Sequence, residues 1–176
     1  MTYKKISWLD YVPSILTSIL FISQIILGIY FLSDVNQIEF LAYFGIGLYF
    51  FSGFIFGMLP IFEFRKKGGV KKGKSYINTT KIVNTGLYST VRHPQYVTFI
   101  MFAIAGMLLF QHWLVILLGI TIVVLTYIDL FRADKELIAK FGSDYKKYKE
   151  KVPRANFVLG IIRRLRHRNR KKQAGK

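Results

Sequence analysis

Residues 86 to 96 of this chain read Gly-Leu-Tyr-Ser-Thr-Val-Arg-His-Pro-Gln-Tyr. Arg92 is a fixed cation, His93 a titratable ring and Tyr96 a phenol, and Pro94 restricts the backbone among them. Strongly apolar stretches flank the segment. Polar chemistry at a membrane boundary is costly to keep unless something polar binds there. A headgroup-anchoring arginine, a loop-capping histidine and interfacial tyrosines are the structural alternative for the same residues. Carboxylates recur further on, at Asp129, Asp134 and Glu136, where the last apolar stretch gives way to charge. If the two intervening helices form a hairpin, its ends bring cation, ring and carboxylate into one pocket beside the lipid. Such a pocket suits an amphiphile whose tail lies in the bilayer and whose head meets a soluble cofactor.

The elements that must position these residues are apolar. Four stretches stand out: Tyr11 to Leu32, Phe40 to Phe62, Tyr96 to Phe110 and Trp113 to Phe131. The first, second and fourth are long enough to cross a hydrocarbon core of about 30 Å. The third is marginal alone at about 1.5 Å per residue. Only Gln111 and His112 separate it from the fourth, which demands a tight helical hairpin. The expected fold is therefore all-α, a single polytopic membrane domain with about four transmembrane helices. Leu137, Ile138, Phe141, Tyr145 and Tyr148 continue the last helix as an amphipathic stripe, interrupted at Gly142. The rise in β-branched residues from Tyr76 to Val83 predicts an ordered extended segment.

Charge agrees with this organisation. The 176 residues hold 26 Lys and Arg against 9 Asp and Glu, a net charge of +17. Every basic residue falls in Lys4–Lys5, Arg65–Arg92 or Arg132–Lys176. A soluble nucleic-acid binder would not leave such long charge-free apolar runs, so the implied partner is the membrane and no nucleic acid is expected. The loop from Glu63 to Gln95 carries eight basic residues and the region from Arg132 sixteen. The positive-inside rule places both termini and that loop in the cytoplasm. Lys66 to Lys74 reads as a solvated loop facing lipid headgroups. Val158 to Leu165 and the arginines after it read as a segment lying on the membrane surface. The N-terminal run reads as a retained helix. The chain has no cysteine, and its 3 histidines are scattered, so neither disulfides nor a metal site is expected.

Thr85-Gly86-Leu87-Tyr88 followed by Arg92-His93-Pro94-Gln95-Tyr96 resembles the signature of the isoprenylcysteine carboxyl methyltransferase and phospholipid methyltransferase families. Leu137, Phe141-Gly142, Tyr145, Tyr148 and Val152-Pro153-Arg154 resemble their C-terminal motif. The resemblance implies an integral membrane enzyme that uses S-adenosylmethionine in a cytoplasmic pocket. It implies cofactor contacts from Thr80, Lys81, Ile82, Val83 and Tyr88, and from Arg92, His93, Pro94, Gln95 and Tyr96. Two adjacent glutamates of these families fall on Ala133 and Asp134, and Glu136 lies close by. A family arginine near the substrate falls on Asp129, with Arg132 as its substitute. Asp134, Glu136 and Arg132 are thus the catalytic candidates. An amine acceptor would need one of the carboxylates as a base, and a carboxylate acceptor would need none. Either acceptor would be a lipophilic molecule, of the isoprenylcysteine or phospholipid type.

Two alternatives compete. Arg132-Ala-Asp134 with Lys140 to Tyr148 also resembles the C-terminal motif of membrane sterol reductases, which use NADPH. The other is a non-catalytic basic membrane protein that binds anionic lipid.

Overall fold

The computed structural model describes residues 12–69 and 79–174, with side chains as far as Arg166. Tyr11, Lys71 to Lys74 and the Tyr76–Asn78 part of the expected extended segment lie outside the described residues. Among those described there is no strand. The helices are α1 (Val12–Tyr30), α2 (Glu39–Ser52), α3 (Leu59–Lys67), α4 (Pro94–Phe110), α5 (Trp113–Lys151) and α6 (Phe157–Ala174). Short 3₁₀ turns occupy Leu32–Asp34 and Gly86–Ser89. The protein is a polytopic all-α membrane protein, as its apolar runs imply.

Among the described residues, three helical stretches have the length and apolarity to cross a membrane: Val12–Tyr30, Glu39–Lys67 and Trp113–Lys151. The second is α2 and α3 joined by a π-helical stretch, Gly53–Met58. Pro60 explains the join, because its ring clashes with the carbonyl four residues earlier and the wider π turn relieves that clash. This helix runs on to Lys67, so Lys66 and Lys67 form an ordered last turn and not the solvated loop expected there. α4, at 17 residues, is the shorter apolar helix. It begins at Pro94, two residues before the expected start, because proline is pre-organised for the first helical position.

Contacts divide the chain into two compact units, Met1–Phe50 with Phe99–Asp129, and Phe51–Thr98 with Leu130–Lys176. In the first unit, Gln24 is buried and its amide donates to the Ala103 and Val115 carbonyls at 3.1 and 3.3 Å. A buried amide in an apolar bundle must find such partners. The hairpin tip is held from outside: Gln111, at φ 53°, exchanges two hydrogen bonds with the Ile38 backbone, at 2.9 and 3.0 Å. The second unit holds the candidate site. There α5 continues past Phe131 without a break until Gly142, whose φ of 59° and ψ of −130° kink it.

Candidate functional site

The site begins where α3 ends. The Gly68 carbonyl accepts from Thr79 Oγ1 at 2.7 Å, the Thr80 amide at 2.8 Å and the Lys81 amide at 3.1 Å. Glu63 accepts from the Leu87 amide at 3.0 Å and pairs with Lys67 at 3.2 Å. Lys67 in turn donates to Thr85 Oγ1 at 2.8 Å. Gly86 has φ 53°, and a Cβ there would collide with the Glu63 carboxylate. Glycine is favoured at this position by its backbone conformation, and a larger residue would also have to displace the Glu63 carboxylate. The segment from Thr79 to Thr85 is irregular, and these bonds tie its two ends to the end of α3.

The two sequence motifs meet through their backbones. The Arg92 amide donates to the Pro153 carbonyl at 3.0 Å, and the His93 amide to the Arg154 carbonyl at 3.1 Å. Their side chains then converge on Asp134, which is 2% exposed. Arg92 Nη2 donates to Oδ2 at 3.0 Å, and Arg154 Nε donates to the same oxygen at 2.8 Å. On Oδ1, the Tyr145 hydroxyl donates at 2.7 Å and His93 Nε2 lies at 2.8 Å. An ionised carboxylate only accepts, so Nε2 is the protonated ring nitrogen of His93. Arg154 also stacks over the Phe131 ring, 3.9 Å from its centroid. Arg92 Nε and Nη1 are buried and have no hydrogen-bond partner among the described residues.

The apolar part of α5 ends at Phe131, and Asp134 lies beyond it. Burial by itself would raise the Asp134 pKa. The bonds from His93, Tyr145 and Arg154 outweigh burial and hold the carboxyl well below the usual carboxylate range. The Tyr145 phenol moves the other way, pushed up by burial and then by donating to the Asp134 anion. Burial likewise raises Tyr148. Tyr148 donates to the Tyr88 carbonyl at 2.5 Å and packs with Tyr145 and Val152 against Ile82, Leu137, Ile138 and Phe141.

Beside this core opens a cavity of about 1140 Å³. Ile82, Phe141, Tyr148 and Val152 supply its apolar wall, and Thr80, Asn84, Thr85 and Ser89 supply polar groups. Lys81, Lys147, Lys151, Arg163 and Arg164 are its cations, and Asp144 is its carboxylate.

The expected site residues separate into two groups. Thr80, Lys81 and Ile82 line the cavity. Val83, Tyr88, Arg92, His93 and Pro94 are buried and do not line it, whereas Gln95 and Tyr96 are half-buried. Tyr96 meets the His93 ring edge-on at 5.7 Å. Asp134 is the centre of the buried cluster. Arg132 and Glu136 instead face each other in an i,i+4 pair at 3.2 Å, with the Glu136 side chain 68% exposed, and neither lines the cavity. Sequence reasoning missed Glu63, Arg163 and Arg164. Glu63 had a signal, a lone carboxylate at the end of an apolar run with Lys67 four residues on. The two arginines had none, because a basic helix reads the same whether it faces a pocket or a headgroup layer.

The site defines a class in which an apolar helical scaffold carries a polar pocket built from a loop before one helix and the extension of the next. Residues 73–139 match the model of the isoprenylcysteine carboxyl methyltransferase (ICMT) family. The matched stretch is less than half of the chain, and it is this stretch that is similar to the family. No curated protein and no solved structure matches the chain.

Proposed function

We propose that the chain is an S-adenosylmethionine-dependent methyltransferase acting on a lipophilic acceptor that arrives from the bilayer. The observation that carries this reading is the knot at Asp134. It ties Arg92 and His93 to Tyr145 and Arg154, so both family motifs close on the core that forms one wall of the cavity.

The cavity residues fit the methyl donor. Ligand pockets of this kind occupy roughly 300–1,000 Å³, and this cavity is somewhat larger. Ile82, Phe141, Tyr148 and Val152 offer an apolar, aromatic surface for an adenine ring. Asn84, Thr85 and Ser89 offer partners for ribose hydroxyls, Asp144 an anion for the amino group, and the lysines and arginines cations for the carboxylate. When bound, S-adenosylmethionine supplies an electrophilic methyl group on a sulfonium. The chain's own work is to align the acceptor and keep water out, which is where much of the rate of an in-line displacement originates.

Five cations against one carboxylate favour an acceptor bearing a carboxylate over one bearing an ammonium. A carboxylate acceptor needs no general base, and the residues agree. Asp134 is fully engaged by four donors and acts as a positioning residue, holding Arg92, His93, Tyr145 and Arg154. Glu136 and Arg132 neutralise each other on the surface. The charge asymmetry of the loops supports a cytoplasmic position for this pocket.

Calorimetry on purified protein tests the cofactor: saturable binding of S-adenosylmethionine is expected, and its absence overturns the reading. A thermal-shift comparison with NADPH separates it from a reductase. Transfer of labelled methyl to an isoprenylcysteine-type carboxylate, and not to phosphatidylethanolamine, is the expected acceptor preference.

A further inference from the structure

Helix α6 has three distinct flanks. At about 100° per residue, Phe157, Gly160 and Arg164 fall together, and this flank meets the protein. Phe157 packs on Phe56 with ring centroids 5.1 Å apart, Gly160 abuts the Thr90 carbonyl, and Arg164 Nη1 reaches the Gly86 carbonyl at 3.4 Å. Val158, Ile161, Ile162 and Leu165 fall on the next arc, about 100° wide, and all four are exposed. Leu159 is an exposed apolar residue outside both. Arg163 and Arg166 occupy the third arc, and the sequence continues with Arg168, Arg170, Lys171 and Lys172.

The contact with Phe56 fixes where this helix starts relative to lipid. Phe56 belongs to the apolar run that ends at Phe62, so it lies about 9 Å inside that run along the helix axis. The first residue of α6 is therefore at membrane depth. An exposed apolar arc leaving from that depth, beside a strongly cationic arc, has the make-up of a helix lying in the interface, whose apolar side enters the headgroup boundary by about 5–10 Å. Charge complementarity selects the lipid: a row of arginines recognises an anionic surface.

We propose that α6 is a docking helix for an anionic bilayer surface, with Val158, Ile161, Ile162 and Leu165 in the lipid boundary and Arg163 and Arg166 toward the headgroups. Because Arg163 and Arg164 also line the cavity, docking holds one wall of the pocket in place. This last consequence rests on the methyl-donor reading, whereas the docking itself does not.

The absence of cysteine makes the test simple. Ile161→Cys and Leu165→Cys, each carrying an environment-sensitive fluorophore, are placed in nanodiscs of phosphatidylcholine, with or without phosphatidylglycerol. The bilayer contains a lipid-borne quencher. Quenching is expected in the phosphatidylglycerol discs and is reversed by high salt. Arg166→Gln is expected to lower the docked-to-free ratio about fivefold. Equal quenching in both lipids, or quenching in neither, overturns the proposal. So does a fluorescence response to RNA in phosphatidylcholine discs without one to phosphatidylglycerol. None of these readouts uses a methyl donor. Equal S-adenosylmethionine affinity in the two disc types, with docking observed, would overturn the coupling to the pocket alone.

Discussion

Arg92 Nη2 and Asp134 Oδ2 lie 3.0 Å apart, with side chains only 4% and 3% exposed. Two charges so buried are held by each other and by the further bonds from Tyr145, His93 and Arg154. Removing one partner leaves the rest uncompensated, a loss of about 3–5 kcal/mol. Asp134→Ala is therefore expected to destabilise the protein by that order in denaturant unfolding. Asp134→Asn, which keeps one acceptor oxygen and the shape, is expected to lose less. An Asp134→Ala variant as stable as the parent would show that the cluster is not what joins the two motifs.

The spans and the hairpin were legible because burial in lipid leaves long apolar runs, the last two separated only by Gln111-His112. The convergence of Arg92, His93 and a carboxylate was also legible, since a hairpin returns its ends to one place. What a one-dimensional reading did not reveal is how the charges pair. Asp134 and Glu136 are two positions apart on one helix, and their spacing alone puts them on different faces, but not which face is buried. Tertiary contact settles it: Asp134 is buried under four donors and Glu136 is exposed. The role of Gly160 was hidden for the same reason, since the Thr90 carbonyl it meets lies 70 positions away.

The cavity and the surface pair make opposite predictions. Phe141→Ala removes an aromatic face from the cavity wall, a loss of about 1–3 kcal/mol of packing by the measure of stacked bases. Calorimetry is expected to show S-adenosylmethionine affinity falling about tenfold or more. Glu136→Gln breaks an exposed i,i+4 pair worth under about 1 kcal/mol. Its methyl-transfer rate is expected to stay within about twofold of the parent. If Glu136→Gln instead abolishes turnover at unchanged stability, the carboxylate acts in the chemistry and an amine acceptor becomes the better reading.

High pH probes the two buried phenols. Burial raises Tyr145 and Tyr148 above the ordinary phenol value of 10.0. Folded phenols thus keep their protons where unfolded ones release them. Their contribution to stability is complete below about pH 10 and is lost as pH rises through the folded values. Lysine deprotonation occurs in the same range, so the comparison with Tyr145→Phe and Tyr148→Phe isolates the effect. Melting curves from pH 8.5 upward (about that starting point suffices) are expected to converge for parent and double variant. The parent's advantage should shrink above pH 10. A gap that stays constant would mean that the phenols are solvated in the folded protein.

Gly160 is the point where α6 approaches the loop before α4. A Cβ at this position would overlap the Thr90 carbonyl, which is backbone and cannot swing aside. Gly160→Leu must therefore lift α6, taking Phe157 from Phe56 and Arg164 from the Gly86 carbonyl. Forced overpacking costs about 1–3 kcal/mol, enough to raise the undocked population of α6 about tenfold. Trypsin cleavage after Arg163, Arg164 and Arg166 is expected to accelerate by that factor, because a docked helix does not enter a protease cleft and a released one does. Gly47→Leu is the matched control, since a Cβ there meets nothing within 4 Å, and its cleavage rate is expected to equal the parent's. If Gly160→Leu is cleaved no faster than this control, α6 is not seated against Thr90, and Arg163 and Arg164 lose their place in the cavity wall.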